Sequence, residues 1–192
     1  MRRKRPPLGF APNPLTIMRF PRFPLFAILL LALASFSLAA PGGFAITSPD
    51  FAEGAAIPSR CTCEGQNVPP TLVITGVPAG AQSLALLVED PDAPSGTFTH
   101  WLVWNIPPAT TRLGAGSLPA GVRQGTNSFG AGGYSGPCPP SGTHRYYFRL
   151  SALDIVPGLS AGASRQEFDA AISGHVLASA ELMGRYAKSG AR

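Results

Sequence analysis

Asp90, His100 and His144 are the side chains of this sequence best equipped for chemistry, and each stands at the end of an apolar run. Asp90 closes SLALLVED (83–90) and enters the turn Pro91-Asp92-Ala93-Pro94, where two prolines fix φ and stiffen the corner. His100 opens HWLVWNI (100–106), and His144 leads through Arg145 into Tyr146 at the start of another apolar run. A carboxylate beside an imidazole fixes its tautomer and favours the imidazolium form. Two imidazoles and a carboxylate in one hollow can hold an anion, act as base and orienting acid, or ligate a metal. Taken singly, each is an ordinary strand-end residue, and Asp-Pro is a common turn opening. Their value depends on whether the fold brings them together.

The elements that must do this read as strands. The run 83–90 is almost continuously apolar, which implies burial on both faces. Residues 100–106 stop at Pro107-Pro108, and 145–154 form a further alternating run. Antiparallel pairing of 83–90 with 100–106 would set Asp90 beside His100 and favour imidazolium there. On the third strand, period-two alternation sends His144 and Tyr146 to one side and Arg145 to the other. The stretch 120–142 is glycine-rich and free to turn backbone amides toward an anion. Short strands are also expected at 44–48 and 72–75, and a loop at 57–70. Ser164 and Glu167 form a capping box for one helix, and 178–187 reads as a late strand. The pattern predicts a mainly β fold, α+β at the margin: an antiparallel sandwich with one or a few short peripheral helices.

The formal charge of +5 belongs to the first residues. Residues 1–39 hold Arg2, Arg3, Lys4, Arg5, Arg19 and Arg22 and no acid, while the rest carries nine basic and ten acidic residues. That near-neutral body excludes a nucleic-acid footprint. A basic start, the apolar run 25–40 and small residues before Ala39 have the grammar of a secretory signal cleaved after Ala39, with Met18 as an alternative start. The expectation is a signal peptide over 1–39 and a single exported domain over 40–192, periplasmic or secreted, with no stable membrane span after cleavage. Export permits a disulfide. Cys61 and Cys63 are too close for an unstrained ring, so Cys138 is expected to pair with one of them, Cys63–Cys138 being the candidate bridge. Zinc-type paired spacings are absent.

DPDAP (90–94), THW (99–101), GTNSFG (125–130) and GYSGPCPPSGTHRYYFRLSALD (133–154) resemble, in order, the motifs of the phosphatidylethanolamine-binding protein family. CTCEGQNVPPTL (61–72) and GHVLASAELMGRY (174–186) are similar to its bacterial and archaeal branch, the Raf kinase inhibitor-like proteins. The resemblance covers roughly residues 44–187. It implies a Greek-key core of antiparallel sheets and a pocket at one end for phosphate-like anions. The pocket residues it implies are Asp90, Pro94, His100, Pro139, Pro140, His144 and Tyr146, with Asp92 and Arg145 as loop supports. Eukaryotic members carry a tyrosine on a C-terminal helix over the pocket. This sequence ends soon after Tyr186, so that tyrosine is not carried over to it, and a more open pocket is expected.

The function expected is therefore that of a non-catalytic exported binding protein. Its guest would be a phosphorylated small molecule or peptide, or a phospholipid headgroup, and it would need no cofactor or metal. Inhibition or regulation of an unidentified protein is compatible with this role. The alternative is a hydrolase acting on an ester or phosphoester through the Asp/His cluster. It lacks a nucleophile motif, because Pro137 stands where the last glycine of G-x-S-x-G belongs.

Overall fold

The computed structural model describes residues 43–114, 116 and 118–190; the expected signal segment lies outside the described residues. Two antiparallel sheets face each other. The smaller has the order β1-β2-β5, from β1 (Ala45–Thr47), β2 (Leu72–Thr75) and β5 (Arg112–Leu113). The larger has the order β6-β4-β3-β7-β8. It contains β3 (Ser83–Asp90), β4 (Phe98–Ile106), β6 (Arg123–Gln124), β7 (Thr143–Leu153) and β8 (Val176–Ala187). The expected mainly β, antiparallel architecture is the one observed. No helix among the described residues is long and apolar enough to cross a membrane.

The two faces of β3 explain its unbroken apolar run. Leu84, Leu86 and Val88 point into the core between the sheets, with Ile46, Leu72, Ile74, Trp101, Val103, Phe148 and Leu150. Ala85 and Leu87 point the other way, against Leu102, Trp104, Leu153 and Phe168. Phe168 belongs to α1 (Arg165–Ile172), which starts at the capping box read from the sequence: the Ser164 side chain accepts from the Glu167 amide, and Glu167 reaches back to the Ser164 amide. Burying a Trp, Phe or Leu contributes about 1.5–3 kcal/mol each. Both cores therefore press on the central strand pair β3–β4, and this pair carries the site at its end. Glu89 is also buried, on the helix side, where Arg149 (3.0 Å) and Arg165 (2.8 Å) neutralise it.

One departure from regular pairing matters for function. Val88 pairs with Trp101 and Glu89 with Thr99, so His100 is an extra residue in β4. In an unbulged strand, alternation would place His100 on the helix side with Leu102. The bulge re-aims it to the inner side. There its ring meets Tyr146 edge-on, with centroids 5.2 Å apart.

Candidate ligand-binding site

At the end of β3, a cavity of about 240 Å³ opens among Asp90, Ala93, Pro94, Ser95, Phe98, His100, Phe129, Cys138, Pro139, Pro140, His144 and Tyr146. It brings together all seven residues implied as pocket residues. Three strands deliver the polar ones: β3 ends in Asp90, the β4 bulge supplies His100, and alternation on β7 turns His144 and Tyr146 inward while Arg145 stays outside.

The carboxylate–imidazole pair differs from the one expected. With two register shifts along the β3–β4 pair, Asp90 lies opposite Phe98 rather than His100. Its Oδ2 instead accepts from Nδ1 of His144 across the sheet, at 2.7 Å, with both side chains buried. Its Oδ1 accepts the amide of Asp92 at 2.8 Å, which closes the turn. Both carboxylate oxygens are thus committed, and His144 is held in one orientation.

His100 is anchored by backbone. Its Nδ1 lies 2.6 Å from the Ser135 carbonyl, and its own carbonyl accepts the Ser135 amide at 3.0 Å. Burial lowers its pKa below the usual histidine value, against the Ser135 carbonyl and the charge of Asp90, which act to raise it. The imidazolium expected at His100 is therefore corrected: desolvation outweighs Asp90, and this ring is neutral at neutral pH.

Tyr146 is fully buried, and its hydroxyl completes no hydrogen bond within the described residues. The Asp90 carboxylate and the Cys138 amide are its polar neighbours. Burial, then the negative charge of Asp90, push its ionisation well above the ordinary tyrosine range, so it remains a donor.

The wall around these groups is rigid. Asp92 grips Arg145 in a two-point ion pair, Nε to Oδ2 at 2.9 Å and Nη2 to Oδ1 at 2.6 Å, and also accepts the Arg145 amide. Arg145 accordingly holds the Asp92 carboxyl down at about 2. These two residues lie outside the cavity and tie the 90–94 turn to β7. Cys63 and Cys138 form the disulfide, with Cα atoms 5.4 Å apart, while Cys61 is a buried free thiol. Gly136 lies so close to the Cys61 carbonyl that a Cβ there would overlap it.

The glycine-rich stretch does not turn its amides inward as a group. Those of Gly125, Thr126, Asn127, Ser128, Gly130, Gly133 and Ser135 bond to backbone carbonyls. Those of Phe129 and Ala131 bond to Asn127 Oδ1, and that of Gly136 to Asn67 Oδ1. The glycines serve a folded loop that presents Phe129, an exposed aromatic meeting Phe98 edge-on at 4.6 Å. Phe98, Phe129, Ala93, Ser95 and the cavity-lining role of Cys138 were missed from sequence. A lone phenylalanine amid glycines was the available signal for Phe129.

Among the described residues, no hydroxyl or thiol near the cavity makes a hydrogen bond to either imidazole. Cys138 is in the disulfide, and the Ser135 hydroxyl accepts from Asn127 at 3.0 Å. Ser95 is exposed and makes no hydrogen bond to either imidazole among the described residues. Among the described residues, no three His, Cys, Asp or Glu side chains are grouped to hold a metal ion.

Residues 47–187 match the family model described as phosphatidylethanolamine-binding protein, and the chain belongs to that family. It is 53% identical over 141 residues to a UPF0098 protein of Methanothermobacter thermautotrophicus, covering 71% of this chain and 93% of that one. A UPF0098 protein of Pyrococcus horikoshii is 46% identical over 144 residues, covering 71% and 73%. Among solved structures, a phosphatidylethanolamine-binding protein homologue from Chlamydia trachomatis is similar, with a TM-score of 0.73 and 39% identity over 77% of this chain and 99% of that one. YbcL of Escherichia coli, a member of the same family, gives a TM-score of 0.70 and 34% identity over 76% and 99%.

Proposed function

We propose that this is a non-catalytic, exported binding protein whose cavity takes the oxyanion head of a phosphate-like group. One observation carries the reading: a fully buried tyrosine hydroxyl without a partner, on the wall of a hollow shared with two oriented imidazoles. A buried unsatisfied polar group costs about 1–3 kcal/mol. A fold that tolerates this at a cavity leaves room for a guest to supply the missing partner. Tyr146 donates to one guest oxygen, His100 and His144 address others, and Phe98 and Phe129 flank whatever the head is attached to. The family to which the chain belongs supports binding rather than turnover, as does the absence of an activated nucleophile among the lining residues. The Cys63–Cys138 bridge suits an oxidising compartment, in keeping with the leader. Partner regulation is compatible with this role and is not required by it.

The test is a titration with inorganic phosphate and with phosphoethanolamine, watched through the histidine ring resonances. The resonances of His100 and His144 should move together and saturate, while that of His175, paired with Asp154 away from the cavity, stays fixed. Movement of neither cavity histidine at millimolar ligand overturns the proposal.

A further inference from the structure

We infer that Asn127 is a positioning residue for the cavity: its side chain locks the loop that grips the bulge in β4, and so sets the place and the tautomer of the His100 ring. Its effect on binding rests on the anion reading, whereas its effect on the ring is a property of the free protein.

Within GTNSFG (125–130), Asn127 is only 4% exposed, and its side-chain amide uses its whole bonding capacity. Oδ1 accepts the amides of Phe129 (2.9 Å) and Ala131 (3.2 Å). Nδ2 donates to the Gly133 carbonyl and to the Ser135 hydroxyl, both at 3.0 Å. The first arm shapes the turn that carries Phe129; the second reaches across the loop to Ser135. One buried side chain therefore closes the loop 127–135 from inside. The two ends of that loop hold two successive residues of β4. Ser128 exchanges hydrogen bonds with Thr99: its amide donates to the Thr99 carbonyl and its hydroxyl accepts the Thr99 amide, each at 2.9 Å. Ser135 does the same for His100: its amide donates to the His100 carbonyl at 3.0 Å, and its own carbonyl lies 2.6 Å from Nδ1 of the ring. Thr99 and His100 stand where β4 slips out of register with β3. A bulged residue is left out of the ladder; here the loop supplies its partners. A carbonyl oxygen only accepts, so the neutral His100 ring bears its hydrogen on Nδ1 and leaves Nε2 to meet the guest. Nδ1 of His144 also bears a hydrogen, but toward the Asp90 carboxylate on β3. Both rings thus present Nε2, and only that of His100 depends on the loop.

The experiment compares Asn127→Ala, Ser135→Ala and Phe168→Leu with the wild-type protein. The histidine ring ¹⁵N resonances are read in the free proteins, and inorganic phosphate is titrated by calorimetry. Asn127→Ala should mix the two tautomers of His100, leave the resonances of His144 in place, and weaken phosphate about tenfold. Ser135→Ala keeps the backbone contacts to His100 and loses one of the two bonds from Nδ2, so the same changes should be smaller, about threefold in affinity. Phe168→Leu loosens the helix-side core and should alter neither reading, which separates positioning from lost stability. Where Asn127→Ala fails to fold, Ser135→Ala decides alone. The inference is overturned if the His100 resonances stay put, if those of His144 move equally, or if phosphate binds as tightly as to the wild type. If the wild type binds no phosphate, the anion reading fails, and the ring resonances still decide whether Asn127 positions His100.

Discussion

Tyr146→Phe separates function from structure at this site, because the two make opposite demands on one atom. The ring is packed in the core between the sheets, and phenylalanine keeps that packing. The hydroxyl is buried with no hydrogen bond completed among the described residues, and its polar neighbours are the Asp90 carboxylate and the Cys138 amide. Removing it deletes an unsatisfied group worth about 1–3 kcal/mol, so the free protein should gain stability, by about 1 kcal/mol after relaxation. For a domain of this size that raises Tm by about 3 °C. In the bound state the same hydroxyl donates to an anion, and such charged hydrogen bonds contribute about 1.5–3 kcal/mol. Its loss should weaken phosphate about 10- to 100-fold. Urea unfolding of the two free proteins gives the first quantity, and calorimetric titration with phosphate gives the second. A variant that is less stable than wild type and binds phosphate equally well would refute the reasoning, since the hydroxyl would then serve the fold and not the guest.

Three further outcomes follow from named contacts. Gly136→Ala forces a methyl into the Cys61 carbonyl and should destabilise by about 1–3 kcal/mol or more, read as a lowered urea midpoint. Reduction, or Cys138→Ser, opens a bridge spanning 75 residues; chain entropy sets the loss at about 4 kcal/mol, and non-reduced native protein should show no reactive thiol until unfolding exposes Cys61. The Asp92 carboxyl falls from 3.8 to about 2 on folding, so its contribution is present above pH 3.8 and is lost as pH drops toward 2. In Asp92→Asn the acid limb of the stability curve should be shallower in that window, and an unchanged limb would remove Asp92 from the scaffold.

Much of this geometry is legible in residue order. β3 declares itself by an apolar run that only a strand buried on both faces can use, and the capping box marks α1 to the residue. The inward turn of His144 and Tyr146 follows from period two alone. What failed was everything that depends on breaking that period. The bulge at His100 leaves no trace in composition, yet it moves the imidazole to the inner face of the sheet, while the unbroken β3–β7 register sets Asp90 beside His144. Ionisation was equally hidden: the sequence put Asp90 in charge of His100, whereas burial, a property of the finished core, decides the outcome. The glycine-rich loop misled for a third reason. Its amides are taken up mostly by backbone carbonyls, several of them on distant segments, and two by the Asn127 side chain, partners that cannot be read from their neighbours in sequence.

The most direct measurement is the crystal structure of the protein grown with inorganic phosphate. The account places one phosphate in the cavity at the end of β3, with oxygens about 3 Å or less from Tyr146 Oη and from Nε2 of His100 and His144. A cavity left without phosphate at a concentration that saturates binding in solution, or phosphate seated elsewhere on the molecule, would contradict it.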